Sequence, residues 1–104
     1  MQDYSLPVFL PHTGSPFQIV VNGQPALELT LVEVEDLTVQ DDLRDPGIRS
    51  QPFSLIFHGP LAPAAQQGNY DLAHSSLGSL SMFLVPLGPA RKMPQSMQYQ
   101  AIFN

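Results

Sequence analysis

The sequence predicts an all-β fold: a small, partly open antiparallel barrel of five or six strands with a short helical turn ahead of the first, a β-sandwich being the alternative. Three observations lead there. Turn signals punctuate the chain densely, at Thr13-Gly14-Ser15-Pro16, Asn22-Gly23-Gln24-Pro25, Asp45-Pro46-Gly47, Gly59-Pro60, Gln67-Gly68-Asn69, Leu77-Gly78 and Gly88-Pro89. The runs between them are short and rich in aromatic and branched residues that alternate in polarity. No window of useful length keeps the helical period. At 104 residues the chain is expected to be one domain, residues 1–104.

Residues 4–12 have room for one helical turn, which Pro7 and Pro11 keep short. The first strand is FQIVV, with Phe17, Ile19 and Val21 on one face. Asn22-Gly23 favours the positive φ angles of a hairpin turn, but Pro25 cannot donate to a ladder, so a connection of three to five residues is expected. The second strand, ALELTLVEVEDL, carries the strongest signal. Leu27, Leu29 and Leu31 share one phase, after which Val32 and Val34 are apolar while Glu33 and Glu35 are polar. Side chains alternate strictly along a flat strand, so the jump in phase calls for a bulge or bend near Leu31-Val32.

Residues 38–51 form an acidic loop around Pro46-Gly47. In PFSLIFHGP, Phe53, Leu55 and Phe57 face one way, and Ser54, Ile56 and His58 the other. LAPAAQQG is a connector. In NYDLAH, Tyr70, Leu72 and His74 share a phase. In SLSMFLVP, Leu80, Met82 and Leu84 make one face while Phe83 and Val85 make the other apolar too. A strand apolar on both faces is either covered twice or held against another subunit. We therefore take Phe83 and Val85 as interface residues. After the Pro-rich loop PLGPARKMPQS, the strand MQYQAIF closes the chain with Tyr99, Ala101 and Phe103 in phase. No internal repeat is evident.

The net charge is −5, and charged residues make up 12% of the chain against roughly 25% in ordinary domains. Seven of the nine acids fall between Glu28 and Asp45, a stretch that repels nucleic acid and anionic lipid. The only cations are Arg44, Arg49, Arg91 and Lys92, a weak footprint for phosphate. A surface so poor in charge tends to associate, which points to a homo-oligomer or a protein partner. There is no cysteine, hence no disulfide, thiolate metal site or cysteine nucleophile. With no apolar run long enough to span a bilayer and no basic segment before the first apolar stretch, the expectation is a cytoplasmic protein without a membrane segment.

The chemical candidates are few. His12, His58 and His74 supply enough imidazoles for a metal, but they lie on three separate segments without ligand spacing. His74 reads as a core or rim histidine. Asp36, Asp41, Asp42 and Asp45 lack the loop pattern of a calcium hand and read as a solvated acidic stretch. Ser54, Ser75 and Ser76 stand near histidines in sequence, without a nucleophile elbow. There is no Gly-rich phosphate loop. No catalytic residue and no cofactor is assigned.

The motifs PFSLIFHGP, QGNYDLAH, LG at Leu77-Gly78, FLVPLGP and YQAIFN resemble the pattern of a family of small uncharacterised bacterial all-β proteins. The likeness covers roughly residues 14–104 and includes Tyr70, His74, Phe83 and Tyr99. It implies no established activity. It does imply a setting near phage-tail-like or collar-type proteins, where such relatives are encoded. The segment PARKMPQSMQ makes the last loop slightly longer than that pattern. The order of elements also resembles SH3-type and Sm-like small barrels, without the RNA-binding signature of the latter. The resulting expectation is a non-enzymatic structural or interaction module that self-associates or docks in a larger assembly. The alternatives are an Sm-like oligomeric RNA-binding protein and a barrel that holds a small ligand or metal.

Overall fold

The structure is a computed structural model that describes residues 5–37 and 52–103. A short helix α1 (Leu6–Phe9) runs into a 3-10 turn (Leu10–His12). Proline sits in the first turn of each, where its missing N–H has no helical partner to lose. Six strands follow: β1 (Pro16–Val21), β2 (Gln24–Asp36), β3 (Phe53–Pro60), β4 (Gly68–His74), β5 (Gly78–Pro89) and β6 (Ser96–Phe103). All pairings are antiparallel, in the order β1-β2-β3-β6-β5-β4. The barrel is closed where a partly open one was expected, because β4 returns to β1 through Gln18–Val20 against Asp71–Ala73. Closure gives every strand a neighbour on each side, although β2 before Thr30 and β5 before Val85 have no paired residue on the β3 and β6 sides.

The expected bulge is present. Leu31 pairs with Phe57 and Glu33 with Ile56, so Val32 is the extra residue. It is exposed, while Val34 returns to the inward phase opposite Leu55 and is half-buried. A second bulge sits at Leu87, between Pro86 opposite Tyr99 and Gly88 opposite Gln98. Gly88 has φ 98°, a conformation that glycine alone adopts freely.

The β1–β2 hairpin corrects the sequence reading. Val21 pairs with Gln24, so the turn is two residues, Asn22 (φ 53°) and Gly23 (φ 78°). Pro25 is accommodated because β2 pairs with β3 only from Thr30 onward, so its missing donor faces no partner strand. The register shift between Ile19 and Val20 absorbs Ala26, and Val21, at the end of β1, is exposed while Phe17 and Ile19 are buried.

The interior is filled by Phe17, Ile19, Leu29, Leu31, Phe53, Leu55, Phe57, Leu72, Leu80, Met82, Leu84, Tyr99 and Ala101. Each end of the barrel is stoppered by chain. At one mouth, α1 packs Phe9 against the stacked pair Phe53 and Phe103, at centroid distances of 5.8 and 6.1 Å. At the other, the Tyr99 hydroxyl accepts a hydrogen bond from the Ala65 amide at 2.8 Å, and the Tyr70 hydroxyl donates to the Gln66 carbonyl. These two bonds hold the connector between β3 and β4 over the opening. The acidic segment 38–51, with Asp41, Asp42 and Asp45, lies outside the described residues.

Candidate functional site

Polar chemistry collects at the α1 mouth. His74 ends β4 in phase with Leu72, which turns its ring inward. The ring packs on Phe17 at 4.4 Å and meets the His12 ring edge-on at 4.6 Å. Its Nδ1 accepts two backbone amides of the β4–β5 turn, Ser76 at 3.0 Å and Leu77 at 3.1 Å. An Nδ1 that accepts must carry its proton on Nε2 when neutral. Nε2 therefore donates to the Ser15 hydroxyl, 2.9 Å away, and Ser15 in turn donates to the His12 carbonyl. Burial, followed by the neighbouring His12, lowers the His74 pKa below the ordinary histidine value.

This polarity decides the chemistry. A serine nucleophile needs a histidine that takes its proton, whereas His74 gives one to Ser15. A metal needs a free ring-nitrogen lone pair, whereas Nε2 carries the proton and the Nδ1 lone pair already accepts two amides. The pair is a structural clasp in the arrangement described.

The histidines separate as the strand phases dictate. His58 follows the inward Phe57 and so stands on the outer wall, between Thr30 of β2 and Gln98 of β6. Its Nδ1 is buried without a hydrogen-bond partner. The wall of the barrel divides it from His12 and His74, so the three do not converge, and no cluster of three ligating side chains occurs among the described residues. Of the serines near histidine in sequence, Ser54 donates to the Glu35 carboxylate at 3.3 Å, and Ser76 offers His74 its backbone amide. The serine hydroxyl that meets a histidine is Ser15, 59 positions from His74. Local spacing carries no trace of that contact.

The outer face of β5 and β6 is the second candidate. Leu80, Met82 and Leu84 point inward and are buried, which leaves Phe83 outside and 45% exposed, with Val85 half-buried. Val85 pairs with Gln100. On β6, Ile102 is also outward in phase and is 53% exposed. Phe83 pairs with Asn69 of β4, and the β5–β6 pairs begin at Val85, so Phe83 stands on the outer face just ahead of that ladder. Ile102 was not singled out from the sequence, although its place between the inward Ala101 and Phe103 marks it as outward.

Arg91 and Lys92 lie on the β5–β6 loop over the outer wall, beside Ile56, His58 and Glu33, in a groove of about 330 Å³. A more apolar groove of about 310 Å³ lies under the connector, between Ile19, Leu27 and Tyr70. Among the described residues no helix is long and apolar enough to cross a membrane.

Over residues 4–103 the chain matches the family model described as Domain of unknown function (DUF6916). The chain belongs to this family. Membership of DUF6916 spans the plug, all six strands and the bulges at Val32 and Leu87, and it agrees with the resemblance to an uncharacterised family. It brings no activity to the barrel. No curated protein and no solved structure matches the chain significantly.

Proposed function

We propose that this chain is a non-enzymatic, self-associating building block of a larger assembly, and that copies meet through the outer face of β5 and β6. The observation that carries the proposal is the apolar surface of Phe83, Val85 and Ile102 on the outer face of a closed barrel. Exposed apolar residues on adjoining strands form the sort of patch that marks an interface. The low charge of the chain supports the same reading: 12% charged residues offer little repulsion between copies. The reversed donor order of the His74–Ser15 pair argues against hydrolase chemistry at the one place where serine and histidine meet among the described residues. The resemblance to small bacterial proteins encoded near phage-tail-like proteins supports an assembly role.

Light scattering across a concentration series tests the proposal. The expected mass exceeds the 11.4 kDa of one chain and falls toward it in Phe83→Asp and Ile102→Asp. A wild-type chain that stays monomeric at high concentration overturns self-association and leaves a different protein as the partner of this face.

A further inference from the structure

We propose that His12, Ser15 and His74 form an acid-operated latch that holds the N-terminal helical plug in the barrel mouth. The plug has one deep anchor, Phe9, which is fully buried against Phe53 and Phe103. The segment that follows is tied down by polar contacts. The Gly14 amide donates to the Leu31 carbonyl at 2.6 Å, and the Leu31 amide donates to the Ser15 carbonyl at 3.1 Å. Ser15 links the His12 carbonyl to His74. His74 therefore joins three parts: the plug through Ser15, the barrel wall through Phe17, and the β4–β5 turn through the Ser76 and Leu77 amides.

The latch accepts only a neutral His74. Protonation adds a hydrogen to Nδ1, where two N–H groups already point at 3.0 and 3.1 Å. Three donors then face one another with no acceptor between them. The cation also stands against Phe17 in a buried site and beside the His12 ring. The neighbours come from every element packed on the ring. The 3-10 turn supplies His12, the lead into β1 supplies Ser15, β1 supplies Phe17, and the β4–β5 turn supplies Ser76 and Leu77. Of these His12 is the one other ionisable side chain, and it opposes a charge on His74. No described carboxylate among these neighbours rescues the imidazolium.

The sign follows from linkage. The latched state holds the His74 proton less well than an open state whose histidine has the ordinary value of about 6.5. The latch is at full strength above about pH 6.5, weakens as the pH falls below it, and stops weakening once the pH is under the lowered latched value. Within that window one linked proton changes the open-to-latched ratio by at most about tenfold per pH unit. Opening bares the apolar mouth formed by Phe9, Phe53 and Phe103.

Amide hydrogen exchange on the full chain between pH 7.5 and 5.0, corrected for intrinsic exchange, tests the latch, with His74 ring shifts followed by NMR. Opening at Thr13, Gly14, Ser15, Ser76 and Leu77 is expected to rise as the pH falls below about 6.5, by at most about tenfold per pH unit, while Leu55 and Ala101 stay protected. His74→Gln, neutral at every pH, is expected to abolish that slope. Should that variant not fold, Ser15→Ala keeps His74 and breaks the clasp, and is expected to open the plug already at pH 7.5. His12→Gln is expected to move the midpoint to higher pH. Three results overturn the latch: His74 titrating without change at those amides, plug and barrel amides rising together in one transition, or a slope that survives in His74→Gln.

Discussion

Gly59 shows how far a single side chain can be fixed by its neighbours. It points into the barrel from β3, and a Cβ there would lie 2.6 Å from Leu29 Cδ2 and 3.4 Å from Tyr99 Cε2. Tyr99 is fully buried and holds the connector through its hydroxyl, so it has little freedom to retreat. Gly59→Ala is expected to destabilise the fold by about 1–3 kcal/mol, read as a lower urea midpoint. A midpoint equal to wild type would mean that Leu29 rotates away freely. Adjacent residues of β5 make the opposite contrast. Leu84 is fully buried and Phe83 is 45% exposed. Leu84→Ala is expected to cost about 2–5 kcal/mol and Leu84→Asp to abolish folding, whereas Phe83→Asp should fold and associate less. Circular dichroism and gel filtration separate the two. Phase alone made that contrast legible. The demand on Gly59 was not, because the atoms that exclude a side chain there belong to residues far along the chain.

Among the elements, β2 was the most legible. A jump from odd to even apolar positions is local information, and a bulge at Val32 is the simplest backbone that satisfies it. The bulge also tests what curvature contributes. Val32 is exposed, so Val32→Ser is expected to change stability by less than about 0.5 kcal/mol. Deleting Val32 leaves Leu31 and Val34 on the inward side, with Glu33 between them, but removes the extra bend that a bulge gives a strand. The deletion is expected to lower the thermal midpoint far more than the substitution. If the two variants melt together, the bulge is incidental to closure. The β1–β2 turn was misjudged for a physical reason that also sits in β2. Proline is excluded only where its strand needs a donor, and Pro25 lies before the first β2–β3 pair. Which side of a strand is left open is a tertiary fact. The meeting of His12 with His74 was hidden in the same way, since it requires plug and hairpin to share one mouth.

For the whole molecule, the strand order has a symmetry that the sequence does not display as a repeat. β1-β2-β3 and β4-β5-β6 are each a meander, and exchanging one for the other leaves the pairing order unchanged. Each meander carries a bulge late in its middle strand, at Val32 and at Leu87. The two seams that join the halves are unequal. The β3–β6 seam runs from Phe53 opposite Phe103 to Pro60 opposite Ser96, whereas the β1–β4 seam is confined to Gln18–Val20 against Asp71–Ala73. Local stability follows hydrogen bonding and buried apolar contact, and β3 is buried from Phe53 through Phe57. The short seam is therefore expected to part first, by a sub-global opening that leaves β3–β6 joined. In native-state exchange under low denaturant at pH 7.5, where His74 is neutral, Gln18, Val20, Asp71 and Ala73 should exchange at lower free energy than Leu55, Phe57, Tyr99 and Ala101. The second group should reach the free energy of global unfolding. Equal values for both groups would make the barrel a single cooperative unit, and a reversed order would place its weak point between the two halves at β3–β6.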